Sequence, residues 1–120
     1  MTTRISLAEK LSQFTDHWHP RIIADVNDHQ VKLAKVRGEF VWHSHADEDE
    51  MFLVLSGELV IELRDGSITL GPGEMTVIPR GVEHRPVARE EVHLMLFEPR
   101  ATRQTGDVIS DRTRDVLERI

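Results

Sequence analysis

Apolar residues fall at Leu7, Leu11, Phe14 and Trp18, a stripe of helical spacing on a segment that opens with Ser6-Leu7-Ala8-Glu9. That opening has capping-box form: a serine for an orphan N–H, and a glutamate three residues on. The pattern predicts a short amphipathic helix over residues 6–16, ended before Pro20. From Arg21 the period changes to that of strands. Ile22–Val26 and Val31–Ala34 alternate like paired strands joined by a turn at Asn27-Asp28.

Turn signals then recur at Gly38, Ser56-Gly57, Asp65-Gly66, Gly71-Pro72-Gly73 and Pro79-Arg80-Gly81. Leu59–Leu63 and Ser67–Leu70 flank Asp65-Gly66, a two-residue hairpin signal whose central positions tolerate positive φ. Short strands at even spacing with Gly/Pro turns predict an all-β sandwich or small barrel. Met51–Leu55 and His93–Phe97 are apolar on both faces. One face fills the barrel; the other needs cover from a helix, a second sheet or a partner chain, so a homodimer and a self-covering sandwich both fit. Beyond Ala101 the alternation ends, and Ser110-Asp111-Arg112 predicts the start of a short helix carrying Val116, Leu117 and Ile120. No repeat or linker divides the chain, which reads as one domain over 1–120: a core at about 21–98, the N-terminal helix, and a tail over 101–120.

The chain has 120 residues, enough to bury a core without staples. It has no cysteine, which excludes disulfides and thiolate metal sites and fits a reducing, cytoplasmic setting. With 21 Asp+Glu against 15 Lys+Arg the net charge is −6, which argues against nucleic acid as a partner. The longest apolar run, Met51–Leu55, is far short of the roughly 20 residues that span a bilayer. No apolar leader follows the N-terminus, so neither a membrane nor a secretory signal is expected.

The chemistry concentrates in Gly38-Glu-Phe-Val-Trp-His43-Ser-His45-Ala-Asp-Glu-Asp-Glu50, with Gly57 following after six intervening residues. On a strand, His43 and His45 project side by side, with Trp42 and Ser44 on the other face. Glu50 stands at the start of the next apolar run; Asp49 is the fallback for it, while Asp47 and Glu48 read as solvated. His84 follows the Pro79-Arg80-Gly81 turn. Three imidazoles and a carboxylate suit one divalent transition ion (Fe, Mn, Ni, Co, Cu or Zn) and disfavour Mg and Ca. An octahedral ion would keep two positions for substrate, water or dioxygen; a tetrahedral zinc would be filled.

Both segments resemble the two signature motifs of the cupin superfamily. The first runs Gly, a spacer, His-X-His, three or four residues, Glu, six residues, Gly; Gly38 to Gly57 matches, with a spacer of four rather than five. The second runs Gly, five residues, Pro-X-Gly, two residues, His, three residues, Asn; Gly73 to His84 matches, with Ala88 where the family commonly has Asn. The motifs cover about residues 38–88, and the strand pattern extends the likeness over about 21–98. The resemblance implies a jelly-roll, double-stranded β-helix barrel and carries the ligand role to His43, His45, Glu50 and His84. It also implies an enzyme of isomerase-like, dioxygenase or lyase type acting on a small polar metabolite. The alternative is a non-catalytic metal-dependent sensor or a metal-stabilised domain.

His93, in an apolar strand, is the one candidate general acid or base, with an outer-face histidine as the plain alternative. Val41, Phe52 and Met75 are the expected pocket residues, although core packing accounts equally for Phe52, Met75 and Val77. His17-Trp18-His19 repeats the His-X-His pattern without a carboxylate in register and reads as incidental. Arg80 and Arg85 read as surface charge.

Overall fold

The computed structural model describes residues 2–111, 113–114 and 116–120. After one helix, α1 (Leu7–Leu11), come β1 (Arg21–Val26), β2 (His29–Glu39), β3 (Glu50–Ser56), β4 (Leu59–Leu63), β5 (Gly66–Leu70), β6 (Met75–Ile78) and β7 (His84–Pro99). The 16-residue β7 organises the barrel. It runs antiparallel to β2 from Glu39↔Val87 to His29↔Pro99. Its C-terminal half also pairs with β3 (Met51↔Phe97), while its first residues pair with β4 (Leu63↔His84). One strand thus joins two branches of a seven-stranded sheet: β1-β2-β7-β3-β6, and the β4–β5 hairpin docked on the start of β7. This is the all-β architecture that the sequence led us to expect.

Parity along the strands sorts the core. Val92, Leu94 and Leu96 of β7 face Ala34, Val36, Phe52, Val54, Leu59 and Ile61 inside the barrel. On the other face Leu33, Leu55 and Met95 meet Phe14, Ile23, Leu7, Leu11 and Ile120. Part of the cover that two-sided apolar strands require therefore comes from the chain's own ends.

The helix is shorter than its stripe predicts. Ser6 caps it as expected, its side chain accepting from the Glu9 N–H. The Ser12 hydroxyl, however, takes the Glu9 carbonyl at 2.6 Å, and the Gln13 N–H turns to Lys10 at 3.1 Å instead of continuing the ladder. Phe14 and Trp18 then enter different apolar clusters, and Trp18 has a left-handed φ of 62° that no helix allows. The Asn27-Asp28 turn forms, with Asn27 at φ 56°. The second hairpin shifts by one: Leu63 pairs with Gly66, so Arg64 and Asp65 make the loop.

No helix forms in the tail among the described residues. The Ser110 N–H bonds to Thr113 Oγ1 at 3.0 Å and the Arg114 N–H to Gln104 Oε1 at 2.8 Å, side-chain partners that compete with helical ones. Arg112, assigned to that helix, lies outside the described residues. The chain end instead runs beside β1, with Ile22 bridged in parallel to Arg119. No described helix is long and apolar enough to cross a membrane.

Candidate metal centre

Four residues from three places converge. Gly38, at φ 87°, coincides with a register shift in β2, after which the chain runs extended but largely unpaired to Asp49. His43 and His45 thus lie beyond the regular strand that their spacing suggested. One bridge holds the segment: the His43 and His84 backbones exchange hydrogen bonds of 3.1 and 2.9 Å. The Gly81 N–H donates to the His45 carbonyl at 2.8 Å, which ties the Pro79-Arg80-Gly81 turn against the same segment. Glu50 opens β3 and His84 opens β7.

All four side chains are buried, and their ligating atoms lie within 4.8 Å of one another. Glu50 Oε1 is 3.3 Å from His45 Nε2 and 3.4 Å from His84 Nε2. Two donors at right angles on an ion, each at about 2.1 Å, would be about 3.0 Å apart, so a contraction of a few tenths of an ångström would seat one. His43 Nδ1 lies 2.9 Å from the Val41 carbonyl and His84 Nδ1 3.0 Å from the Val82 carbonyl. A carbonyl only accepts, so each Nδ1 carries the proton and each Nε2 keeps its lone pair, the tautomer a metal ligand needs. His45 Nδ1 and Nε2, His84 Nε2 and Glu50 Oε1 are buried without a hydrogen-bond partner. Such atoms normally find one; here a cation would satisfy one His45 nitrogen, His84 Nε2 and Glu50 Oε1 together.

The electrostatics agree. Burial, reinforced by His84, pulls His43 down to about 4, so it stays neutral. Burial also works against charge on His45, but the Glu50 carboxylate outweighs it and raises that group. Burial opposes ionisation of Glu50, yet Glu98, His45 and His84 hold it well below the carboxylate range.

Two cavities flank the cluster. The inner one, about 30 Å³ and room for about two waters, is bounded by Trp18, Val36, Phe40, Phe52 and Leu94 beside His43 and Glu50. The outer one, about 260 Å³, is bounded by His45, Glu48, Ala101, Arg103, Gly106 and Asp107. The tail borders the inner cavity: Gln104 lines it and its Nε2 donates to the Trp18 carbonyl at 3.0 Å, while the Asp107 N–H donates to the Ser44 carbonyl at 3.2 Å.

Other expected residues are placed differently. Phe52 lines the inner cavity, with its ring 6.1 Å from that of His84. Val41 contributes its carbonyl to His43 and packs on the core. Met75 is not at the site: it faces outward on β6 and is 52% exposed. His93 is not there either. Its neighbours Val92 and Leu94 take the inward positions, which leaves His93 on the outer face with Nε2 2.8 Å from Glu91. Asp49 accepts from the Arg80 N–H at 2.8 Å and so braces the turn. Glu48 is less solvated than expected, its carboxylate 4.0 Å from His45 Nδ1. His17 and His19 bond to Glu91 and Asp16, away from the cluster. Arg85 pairs with Glu62 and Glu39 and lies over Trp42, while Arg80 is exposed.

As residues beside the cluster, Trp18, Gln104, Lys32 and Glu98 were not foreseen in the sequence. Strand parity carried a signal for the last two, since Lys32 alternates with Ala34 and Val36, and Glu98 with Leu94 and Leu96.

The chain matches the Cupin domain family over residues 29–98. It is similar to a cupin-2 domain containing protein from Shewanella frigidimarina at 58% identity, covering 80% of this chain and 94% of that one, with a TM-score of 0.79. It is also similar to protein NMB1881 from Neisseria meningitidis at 33% identity, covering 81% and 99%, with a TM-score of 0.74. An uncharacterized Bacillus subtilis (strain 168) protein, YdbB, is 47% identical over 64 residues, which are 52% of this chain and 57% of that relative's length.

Proposed function

Because the chain belongs to the cupin family, we propose that His43, His45, Glu50 and His84 hold one divalent transition ion and that the protein is a metal-dependent enzyme acting on a small metabolite. The observation that carries this is the set of buried, mutually close donor atoms that no protein hydrogen serves. When bound, such an ion supplies Lewis acidity to a substrate oxygen, on which charge develops during isomerisation, lyase chemistry or dioxygen transfer. The Val41 and Val82 carbonyls keep Nε2 of His43 and His84 unprotonated, and Gln104 of the tail lines the inner cavity and is tied to the Trp18 carbonyl. The inner cavity holds too little space for a metabolite, so a small polar substrate enters through the outer cleft beside His45 and Arg103.

One observation favours a second reading, a metal-dependent binding module. Apart from the ligands, the side chains bounding the inner cavity offer no acid or base; Gln104 is their one polar member. The test joins elemental analysis of protein purified without chelators to oxygen-uptake and isomerase screens on small hydroxy acids, keto acids and sugar phosphates. Turnover that disappears on mild chelation while the fold survives supports the enzyme. Metabolite binding with no turnover supports the module.

A further inference from the structure

Between the tail and strands β1 and β2 lies a cleft of about 370 Å³, bounded by three arginines from beyond β7: Arg100, Arg103 and Arg114. Lys32 also bounds it, but Glu98 offsets that charge at 2.8 Å. Among the described residues no carboxylate bounds the cleft. The backbone fixes two of the arginines in place: the Arg100 N–H donates to the Asp28 carbonyl at 2.9 Å, and the Arg114 N–H to Gln104 Oε1 at 2.8 Å. Among the described residues neither of their guanidinium groups meets a carboxylate. That of Arg100 reaches the Asn27 carbonyl at 3.4 Å, and Arg114 Nη1 the Asp111 and Thr113 carbonyls at 3.0 and 3.1 Å. By contrast Arg21, Arg64, Arg85 and Arg119 each have a carboxylate oxygen within 3.3 Å. In a chain of net charge −6, with acid to spare, cations gathered around one cleft repel each other unless an anion lies among them.

We propose that this cleft binds the oxyanion head, phosphate or carboxylate, of a small metabolite. A guanidinium presents a planar fork of donors that matches either group. The volume falls in the range of small-molecule sites, about 300–1,000 Å³, and Ile22 and Leu117 offer an apolar wall to the rest of the ligand. The acidic balance of the whole chain disfavours a long polyanion in its place. None of His43, His45, Glu50 and His84 bounds the cleft, so it needs no ion in the cluster. It adjoins the outer cavity beside His45, with which it shares Ala101 and Arg103.

The test is titration calorimetry of the full chain at low salt, with inorganic phosphate, pyrophosphate and citrate as probes. Wild type should bind at least one of them: the phosphates if the head is a phosphoryl group, citrate if it is a carboxylate. Arg100→Gln and Arg114→Gln should each weaken that binding about 10-fold, the effect of one charge-assisted hydrogen bond, with unchanged circular dichroism. If one variant does not fold, the other carries the test. Arg89→Gln removes the same charge from an exposed position on β7 and should bind like wild type. His84→Ala should also keep wild-type affinity. Wild type that binds none of the probes overturns the proposal, as do folded Arg100→Gln and Arg114→Gln with wild-type affinity. An equal loss in Arg89→Gln overturns it too, by reducing the binding to net charge. So does a loss in folded His84→Ala, which would put the probe on the metal.

Discussion

Replacing Gly106 by alanine tests how the tail closes the barrel mouth. Gly106 has a φ of 59°, and a Cβ there would collide with the Ser44 carbonyl oxygen while standing 3.2 Å from the His43 ring. The left-handed backbone costs an L residue about 1 kcal/mol. Relieving the collision pushes the segment outward, which forfeits the 3.2 Å bond from the Asp107 N–H to Ser44, worth about 1 kcal/mol more. Together these make about 2 kcal/mol, a factor of roughly 30 in the balance between closed and locally opened tail. The assay is the rate at which excess chelator strips Co(II) from loaded protein. Gly106→Ala should release metal about 30-fold faster with an unchanged strand signal in circular dichroism. Gly73→Ala is the control, since Gly73 is also left-handed, at φ 81°, but has nothing within 4 Å of its absent Cβ. Equal release from folded Gly106→Ala and wild type would refute the closing role of the tail, and so would an equal acceleration by Gly73→Ala.

Further predictions concern the ligands, the N-terminal segment and pH. His43→Ala and His84→Ala should each purify nearly metal-free by elemental analysis yet keep the barrel's circular dichroism, because the apolar clusters do not depend on the imidazoles. Trp18→Ala removes a ring stacked on Phe40 at 4.5 Å and its Nε1 bond to the Arg37 carbonyl, and should cost about 3–5 kcal/mol in urea unfolding; a loss below about 1 kcal/mol would mean that the segment frays from the barrel. Burial sets His43 at about 4 against an ordinary 6.5, so between those values the unfolded chain binds the extra proton. Metal-free protein should therefore lose about 3 kcal/mol from this group as pH falls from 6.5 to 4, with raised His45 acting in the opposite sense. Urea midpoints against pH should give a shallower dependence in His43→Gln than in wild type; equal slopes would count against a buried neutral His43.

Local pattern made the barrel legible. Strand-like alternation placed β1 and β2, short apolar runs placed β3 and the end of β7, and the spacing of Gly38, His43, His45, Glu50, Pro79, Gly81 and His84 singled out the cluster residues. What escaped the sequence depends on partners distant along the chain. The Leu7–Trp18 stripe is helical in spacing, but Ser12 diverts a carbonyl and Lys35 draws the Phe14 carbonyl to its buried Nζ at 2.7 Å, so the stripe divides between two clusters. His93 and Met75 sit in apolar strands, where only parity against Val92, Leu94 and Ile78 sends them outward. Gln104 matters because it bridges Trp18 and Arg114, contacts separated by 86 and 10 positions that no local motif announces.

The most direct test of the central claim is X-ray absorption at the metal edge of protein purified without chelators. The account predicts close to one ion per chain with a nitrogen and oxygen shell near 2.1 Å, the value for such ligands, and outer scattering from three imidazoles. A chain that carries no metal, or an ion whose spectrum lacks imidazole scattering, would contradict it.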